Sequence, residues 1–573
     1  MNLKCNILIT IAICFVFQPL FSQVFFENKA FQLGINVTGN SSSVLGGISF
    51  YDYDQDGWDD ITLASKSNFP VRFFKNNSGT FIEQTFNMTI TGHSKQVLWV
   101  DYDNDGDNDL FVTRVDAANK LYQNDGNFVF TDVTSAAGFP LLTVLKTYGA
   151  AFGDYDNDGY LDVFLSNKDD DLLIPNQLYH NNGDGTFTDV TVAAGISPVG
   201  HLSFCAVFFD YDKDGFQDIY ISNDRFVNTN ILYHNNGDGT FTDTSIASGT
   251  NIAANAMSTT IDDFNDDGWL DIYITNTSEG NYLLKNNGNG TFTDVALTSG
   301  TSFNSMGWGA NFFDADNDAD MDLYVSSMVE NPNIGLLTTA FYECQTNYNY
   351  VIPSDAGFVN DTFASFSNAI GDVDNDGYTD FFVCNRAPAN HSLWKNAGGT
   401  NNWLKINLEG TISNKNGIGS WIEVYANNKT MYRYTLCGEA FLGQNSATEI
   451  FGVNTATTID YIKVKWLSGI EDILTDVAPN QTLTVVEGST LSNSNFENTQ
   501  IKIYPNPTNG QVYFSGFDSD FTVDIFDFMG RRMTSKIINQ STNSIDISSN
   551  TKGVYLLLIK TEEATITKKM VLY

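Results

Sequence analysis

Asp52-Tyr-Asp-Gln-Asp-Gly-Trp-Asp-Asp60 decides how this chain folds, because the same nonapeptide starts again at Asp101, Asp154, Asp210, Asp263, Asp314 and Asp372. The seven copies lie 49 to 58 residues apart. A period of that size means stacked supersecondary units. Each copy is preceded by a short run of apolar or small residues, such as Tyr148–Phe152 or Ala206–Phe209, and followed by another, such as Val163–Leu165 or Ile219–Ile221. These runs read as strands around a hairpin. A second landmark follows in the same period, as in Leu178-Tyr-His-Asn-Asn-Gly-Asp-Gly-Thr-Phe187, Leu232–Phe241 and Leu283–Phe292. Its Asn-Gly and Asp-Gly turns mark a second hairpin. Four strands per repeat describe a propeller blade. Seven blades are expected over residues 23–400, with six or eight open if the ends are irregular.

The loops carry chemistry as well as turns. In Asp-x-Asp-x-Asp-Gly-x-x-Asp, alternate carboxylates point inward, Gly allows a left-handed turn, and the ninth residue closes a shell of hard oxygen ligands suited to calcium. The expected ligands are Asp52, Asp54, Asp56 and Asp60; Asp101, Asp103, Asp105 and Asp109; and Asp154, Asp156, Asp158 and Asp162. They continue with Asp210, Asp212, Asp214 and Asp218; Asp263, Asn265, Asp267 and Asp271; Asp314, Asp316, Asp318 and Asp322; and Asp372, Asp374, Asp376 and Asp380. Up to seven calcium ions are therefore expected. The sixth site is the weakest expectation, because Ala319 stands where the other loops have Gly. An EF-hand is excluded, since position twelve is Leu63, Val112, Leu165 or Ile221, within a strand, rather than a bidentate Glu.

Charge agrees with a cation requirement. The net charge is -39, of which -37 falls in residues 23–400. So acidic a surface repels phosphate backbones and anionic membranes, which excludes nucleic acid as a partner class. Residues 1–22 read as a secretory signal, with Lys4, the apolar run Ile7–Phe17 and Ser22 before the cut. No transmembrane segment is expected after its removal. Cys205, Cys344, Cys384 and Cys437 are scattered and read as buried free thiols.

The acidic loops resemble those of the FG-GAP or VCBS repeat family, which includes the integrin α propeller. That resemblance implies blades that bind calcium in these loops. Residues 401–488 change character, with alternation at Leu404, Ile406 and Leu408 and at Ile462, Val464 and Trp466, where Lys463 and Lys465 point outward. Asn402-Trp-Leu-Lys-Ile-Asn-Leu-Glu-Gly-Thr411, Gly417-Ile-Gly-Ser420 and Ile462-Lys-Val-Lys-Trp466 resemble the ASPIC/UnbV domain, a pairing similar to that of cartilage acidic protein. A Ser- and Asn-rich linker, 489–500, leads to residues 501–573, whose charges sum to +1. Tyr504-Pro-Asn-Pro507, Phe528-Met-Gly-Arg531, Gly553-Val-Tyr-Leu556 and Lys568-Lys-Met-Val571 resemble the C-terminal sorting domain of type IX secretion, which implies an Ig-like β-sandwich and the type IX machinery as a partner.

The fold class is thus all-β: a seven-bladed calcium-binding propeller, a small β-rich domain and a C-terminal sandwich. No Gly-x-Ser-x-Gly elbow, His-Glu-x-x-His helix or phosphate loop is present. His180 and His234 occupy one place in successive repeats and read as blade residues, and Trp99, Trp269 and Trp308 read as packing residues. The resemblance implies a secreted or cell-surface, non-catalytic adhesion module for a glycan, matrix component or surface protein. A secreted polysaccharide lyase or hydrolase is the alternative, because 68 acids leave room for a catalytic carboxylate pair.

Overall fold

The computed structural model describes residues 24–39, 46–66, 69–90, 92–141, 144–330, 335–358, 360–491, 501–516, 519–527, 531–539, 541–560 and 565–573. The signal segment 1–22, residues 492–500 of the linker and residues 528–530 of the quoted tail motif lie outside the described residues.

The repeats fold as the alternation of apolar runs and turns requires. Among the described residues of 24–400 there are seven antiparallel sheets of four consecutive-repeat strands. A representative sheet is Thr147–Gly153, Asp162–Asn167, Gln177–Asn181 and Phe187–Asp189, each strand pairing with the next. The acidic nonapeptide joins the first strand to the second, and the Asn-Gly motif joins the third to the fourth. Both turns therefore lie at the same end of each of the first six sheets. The last repeat takes its fourth strand from the start of the described chain, Phe26–Asn28 pairing with Ser392–Asn396.

Burial grades across each sheet. All residues of Ser94–Val100 and Asp109–Arg114 are buried, whereas in Phe130–Asp132 only the phenylalanine is. First and second strands covered on both faces need apolar side chains on both, which is why their sequences run apolar rather than alternating. The first strands of successive sheets touch in sequence order, and that of the seventh touches that of the first. The four cysteines of these and the following residues are free and buried.

Residues 401–488 form two further sheets, Glu449–Asn454/Asn402–Glu409/Thr482–Val486 and Lys429–Tyr434/Trp421–Ala426/Ile459–Lys465/Glu471–Val477. Their core includes Leu404, Ile406, Ile462, Val464 and Trp466. They belong to the same compact unit as the seven sheets, which spans Met1–Ser489. One excursion, residues 437–446, explains this by threading among the first strands. Phe152 N donates to Cys437 O at 2.9 Å, Ala440 N to Thr259 O at 3.0 Å and Ser446 N to Ile370 O at 3.0 Å. Gly443–Gln444 adds a parallel strand to Ile48–Tyr51. The Gln444 amide bridges Ser49, Trp99 N–H and Trp99 O at 2.7, 2.9 and 2.7 Å. Phe441 and Leu442 are fully buried among Phe204, Met257, Trp308 and Phe366, with the Phe441 and Trp308 rings 4.7 Å apart.

The second unit, Thr490–Tyr573, has its own core, with Val512, Phe514, Val523, Ile525, Leu557 and Ile559 buried. One sheet is Lys502–Tyr504/Gln511–Ser515/Ser544–Asp546 and the other Arg532–Ile538/Phe521–Asp527/Gly553–Lys560/Thr565–Leu572.

Candidate metal centre

Each acidic loop is held by its own aspartates. In the first, Asp52 accepts the backbone N–H groups of Asp56 at 3.1 Å and Gly57 at 2.8 Å, and Asp56 accepts that of Trp58 at 3.1 Å. The same two bonds to the first carboxylate recur at Asp101, Asp154, Asp210, Asp263, Asp314 and Asp372. The turn needs left-handed backbone at positions four and six. Gln55 and Gly57 take φ values of 59° and 87°, and Ala319 takes 76° where its counterparts are glycine. The sixth loop thus keeps the shared path at the cost of a strained alanine.

The ninth aspartate opens the second strand and is fixed from the third. Asp60 Oδ1 accepts Asn76 N–H at 2.6 Å, and Asp162 Oδ1 accepts Asn181 N–H at 2.8 Å. In the sixth loop Cys344 N–H takes that role toward Asp322 at 2.7 Å.

What these bonds leave over is a set of oxygen ligands. Oδ1 of Asp54, Asp103, Asp156, Asp212 and Asp374, all at the third position, is buried with no hydrogen-bond partner, as is Asp60 Oδ2. Asp52, Asp54 and Asp60, Asp101, Asp103 and Asp109, and Asp154, Asp156 and Asp162 each bring one oxygen within 4.8 Å of the others. A buried, unpaired carboxylate oxygen is costly, and a cation between such oxygens removes the cost. In the fifth loop Asn265 instead donates its amide to Asp271 at 3.1 Å.

Burial, aided by the neighbouring carboxylates of the same loop, pushes Asp52 and Asp101 up to about 7, Asp154 and Asp263 to about 8, and Asp60 and Asp109 to about 9. Asp271, Asp314, Asp322 and Asp380 lie well above the usual carboxylate range for the same first reason. The residues present therefore fit a divalent cation with oxygen ligands.

The loops are joined to one another. The position-four side chain reaches the glycine carbonyl of the next loop: Gln55 to Gly106 at 2.9 Å, Asn104 to Gly159 at 2.8 Å, Asn157 to Gly215 at 2.9 Å and Asn317 to Gly377 at 3.0 Å. Asn375 of the seventh loop reaches Gly57 of the first at 2.8 Å. Residues 401–488 rest on this same end. Asp101 N–H donates to Asn416 at 2.9 Å, Asn401 donates to Asp316 O at 2.8 Å, and Asn454 N–H to Asn317 O at 2.9 Å.

One set of residues escaped the sequence reading. The third strand of each sheet presents a side chain to its loop from the position just before the residue that binds the ninth aspartate: Lys75, Gln123, His180, His234, Lys285, Glu343 and Lys395. His180 Nδ1 lies 3.4 Å from Asp156 and 3.2 Å from Asp162, and His234 lies 3.5 Å from Asp212 and 3.2 Å from Asp218. The bond to Asp162 pushes His180 up to about 9. These histidines are strand residues, as the sequence suggests, and also line the loops. The signal was their fixed place before the Asn-Asn-Gly motif. Trp99 and Trp308 are buried, in accord with packing roles.

The FG-GAP-like repeat model matches residues 52–112, 101–165, 154–221, 210–274 and 263–325. The first six acidic loops are those of FG-GAP-like repeats. The ASPIC and UnbV model matches residues 410–492, and the secretion system C-terminal sorting domain model residues 502–573. The chain is 31% identical to human cartilage acidic protein 1 over 98 residues, 17% of this chain and 14% of that protein. The mouse protein is 30% identical over the same length. Among solved structures, BBS1N bound to ARL6DN overlays with a TM-score of 0.40 at 9% identity, covering 62% of this chain and 94% of that one. The V. cholerae biofilm matrix protein Bap1 overlays at 0.30 and 12% identity, covering 96% and 91%. Scores this low add nothing to the fold. The sorting domain marks the FG-GAP-repeat chain as secreted or displayed on the outer-membrane surface. Among the described residues no helix is long and apolar enough to cross a membrane.

Proposed function

We propose that the chain is a secreted or cell-surface, calcium-propped seven-bladed β-propeller that acts as a non-catalytic binding and adhesion module for a glycan, a matrix component or a neighbouring surface protein. In this reading residues 23–400 are the propeller, 401–488 an ASPIC/UnbV-like domain, 489–500 a linker and 501–573 an Ig-like sorting sandwich read by the type IX machinery. Support for blades comes from the contacts between successive first strands and from Phe26–Asn28 completing the last sheet. Support for calcium in these loops comes from the unpaired third-position oxygens in five of them and from the raised carboxyls.

The observation that carries the binding role lies at the other end of the sheets. There the connections from second to third strands, and from one sheet to the next, expose Phe69, Leu173, Val199, Phe226, Val227 and Phe363, with Val227 87% exposed. Exposed apolar side chains gathered at one end of a rigid scaffold mark a contact surface. The acidic end is already engaged by residues 401–488, so a partner is expected at the apolar end.

Size-exclusion chromatography of polysaccharides incubated with the mature chain and calcium tests this. Retention of a polymer at unchanged length supports a binding module. Progressive shortening overturns it in favour of a polysaccharide lyase or hydrolase.

A further inference from the structure

The seven acidic loops share a backbone but not a charge. Three receive a lysine from the third strand. Lys75 pairs with Asp54 and, at 2.9 Å, with Asp56; Lys285 pairs with Asp267; and Lys395 lies 2.9 Å from Asp374 and 3.5 Å from Asp376. The seventh loop receives a second ammonium from the following domain. Lys405 Nζ lies 2.9 Å from Asp372 Oδ2 and 2.6 Å from Asn375 Oδ1, with the side chains of Lys405 and Asp372 only 5% and 0% exposed.

Two loops receive no third-strand cation. In the second the position is Gln123, which donates to Asp103 Oδ2 at 2.7 Å and leaves Asp103 Oδ1 buried and unpaired. In the sixth it is Glu343, and that loop receives an ammonium from elsewhere: Lys429 reaches the Ala319 carbonyl and lies 2.9 Å from Asp266 of the neighbouring loop.

Building on the calcium reading above, we propose that the cations built into a loop set whether it takes calcium: the loop at Asp101 is a tight site, and that at Asp372 is closed by Lys395 and Lys405 and takes none. An ammonium within 3 Å of ligand carboxylates supplies part of the positive charge a metal would supply, and the two at the seventh loop together match that of one calcium ion. Calcium entering such a loop must expel a buried ion-paired lysine or sit beside it against strong repulsion. Gln123 imposes neither cost. Oxygen ligands alone do not separate the loops, since Asp374 Oδ1 is also unpaired; the built-in cations do.

The test uses the full mature chain, stripped with chelator, returned to about two equivalents of calcium and crystallised. Anomalous difference density is expected in the loop at Asp101 and not at Asp372. Equal density in all seven loops overturns the grading and leaves the calcium reading standing. Density in none overturns both. In calorimetric titration, Gln123→Lys is expected to remove one tight ion per chain. Lys395→Gln with Lys405→Gln is expected to tighten binding at the seventh loop by about tenfold or more. Unchanged titrations from both variants overturn the proposal, and the crystal result on the unaltered chain decides it if a variant fails to fold.

Discussion

The same seven sheets end in two opposite ways. At one end they carry acidic loops whose side chains hydrogen-bond loop to loop and are covered by residues 401–488. At the other they carry irregular connections with exposed apolar side chains and two single-turn helices, Ser245–Ser248 and Ala296–Ser299. Strand register keeps the first end uniform, because each ninth aspartate must meet a third-strand N–H. Nothing comparable constrains the second end, which is where sequence is free to vary.

Removing the cation should break the first end and spare the second. With several sites linked to folding, chelation is expected to lower the melting temperature by about 10 °C or more. An unchanged melting curve would end the structural-calcium reading. Phe441→Ala tests the plug that ties residues 401–488 to the first strands. Because Phe441 is fully buried against Trp308, Phe204 and Phe366, a loss of about 3–5 kcal/mol in denaturant unfolding is expected. A loss under about 1 kcal/mol would mean that the excursion contributes little.

The acidic end should also respond to pH in a direction opposite to ordinary acid denaturation. Asp52 and Asp101, near 7, and Asp60 and Asp109, near 9, sit above the unfolded value of about 4. The folded, metal-free protein therefore holds protons that the unfolded chain releases. Their contribution is full below about pH 4 and is lost as pH rises through 7 to 9. Melting of the chelated protein is expected to fall across that window while the calcium-loaded protein stays level. A flat chelated profile would contradict the burial of these carboxyls.

Smaller effects sharpen the contrast. Ala319→Gly relieves a left-handed alanine and is expected to stabilise by about 1 kcal/mol in chemical unfolding, with a loss of stability counting against strain there. Phe226→Ser with Val227→Ser, at the apolar end, is expected to change stability by less than about 0.5 kcal/mol while abolishing polymer retention on the column. Retention left intact would move the contact surface elsewhere.

Much of this was legible in the chain order of residues. The hairpins fell where Asp-Gly and Asn-Gly turns interrupt apolar runs, since turn chemistry and periodicity are local. The four loop aspartates were legible for the same reason. Lys405 was not: strand alternation places it opposite Leu404 and Ile406, toward solvent, yet it is buried against Asp372. Nor was the role of Lys75, Gln123 or Lys395, which stand 19 to 21 residues beyond the loop carboxylates they face.

Sequence by itself determined the repeat, its strands and turns, the oxygen-rich loops and the sorting tail, because each depends on residues within one short window. Tertiary structure alone decided that residues 437–446 thread among the first strands, that one loop donates to the next, and which loops carry their own cations. Those contacts join positions tens to hundreds of residues apart. Their partners are chosen by three-dimensional packing, which no local pattern records.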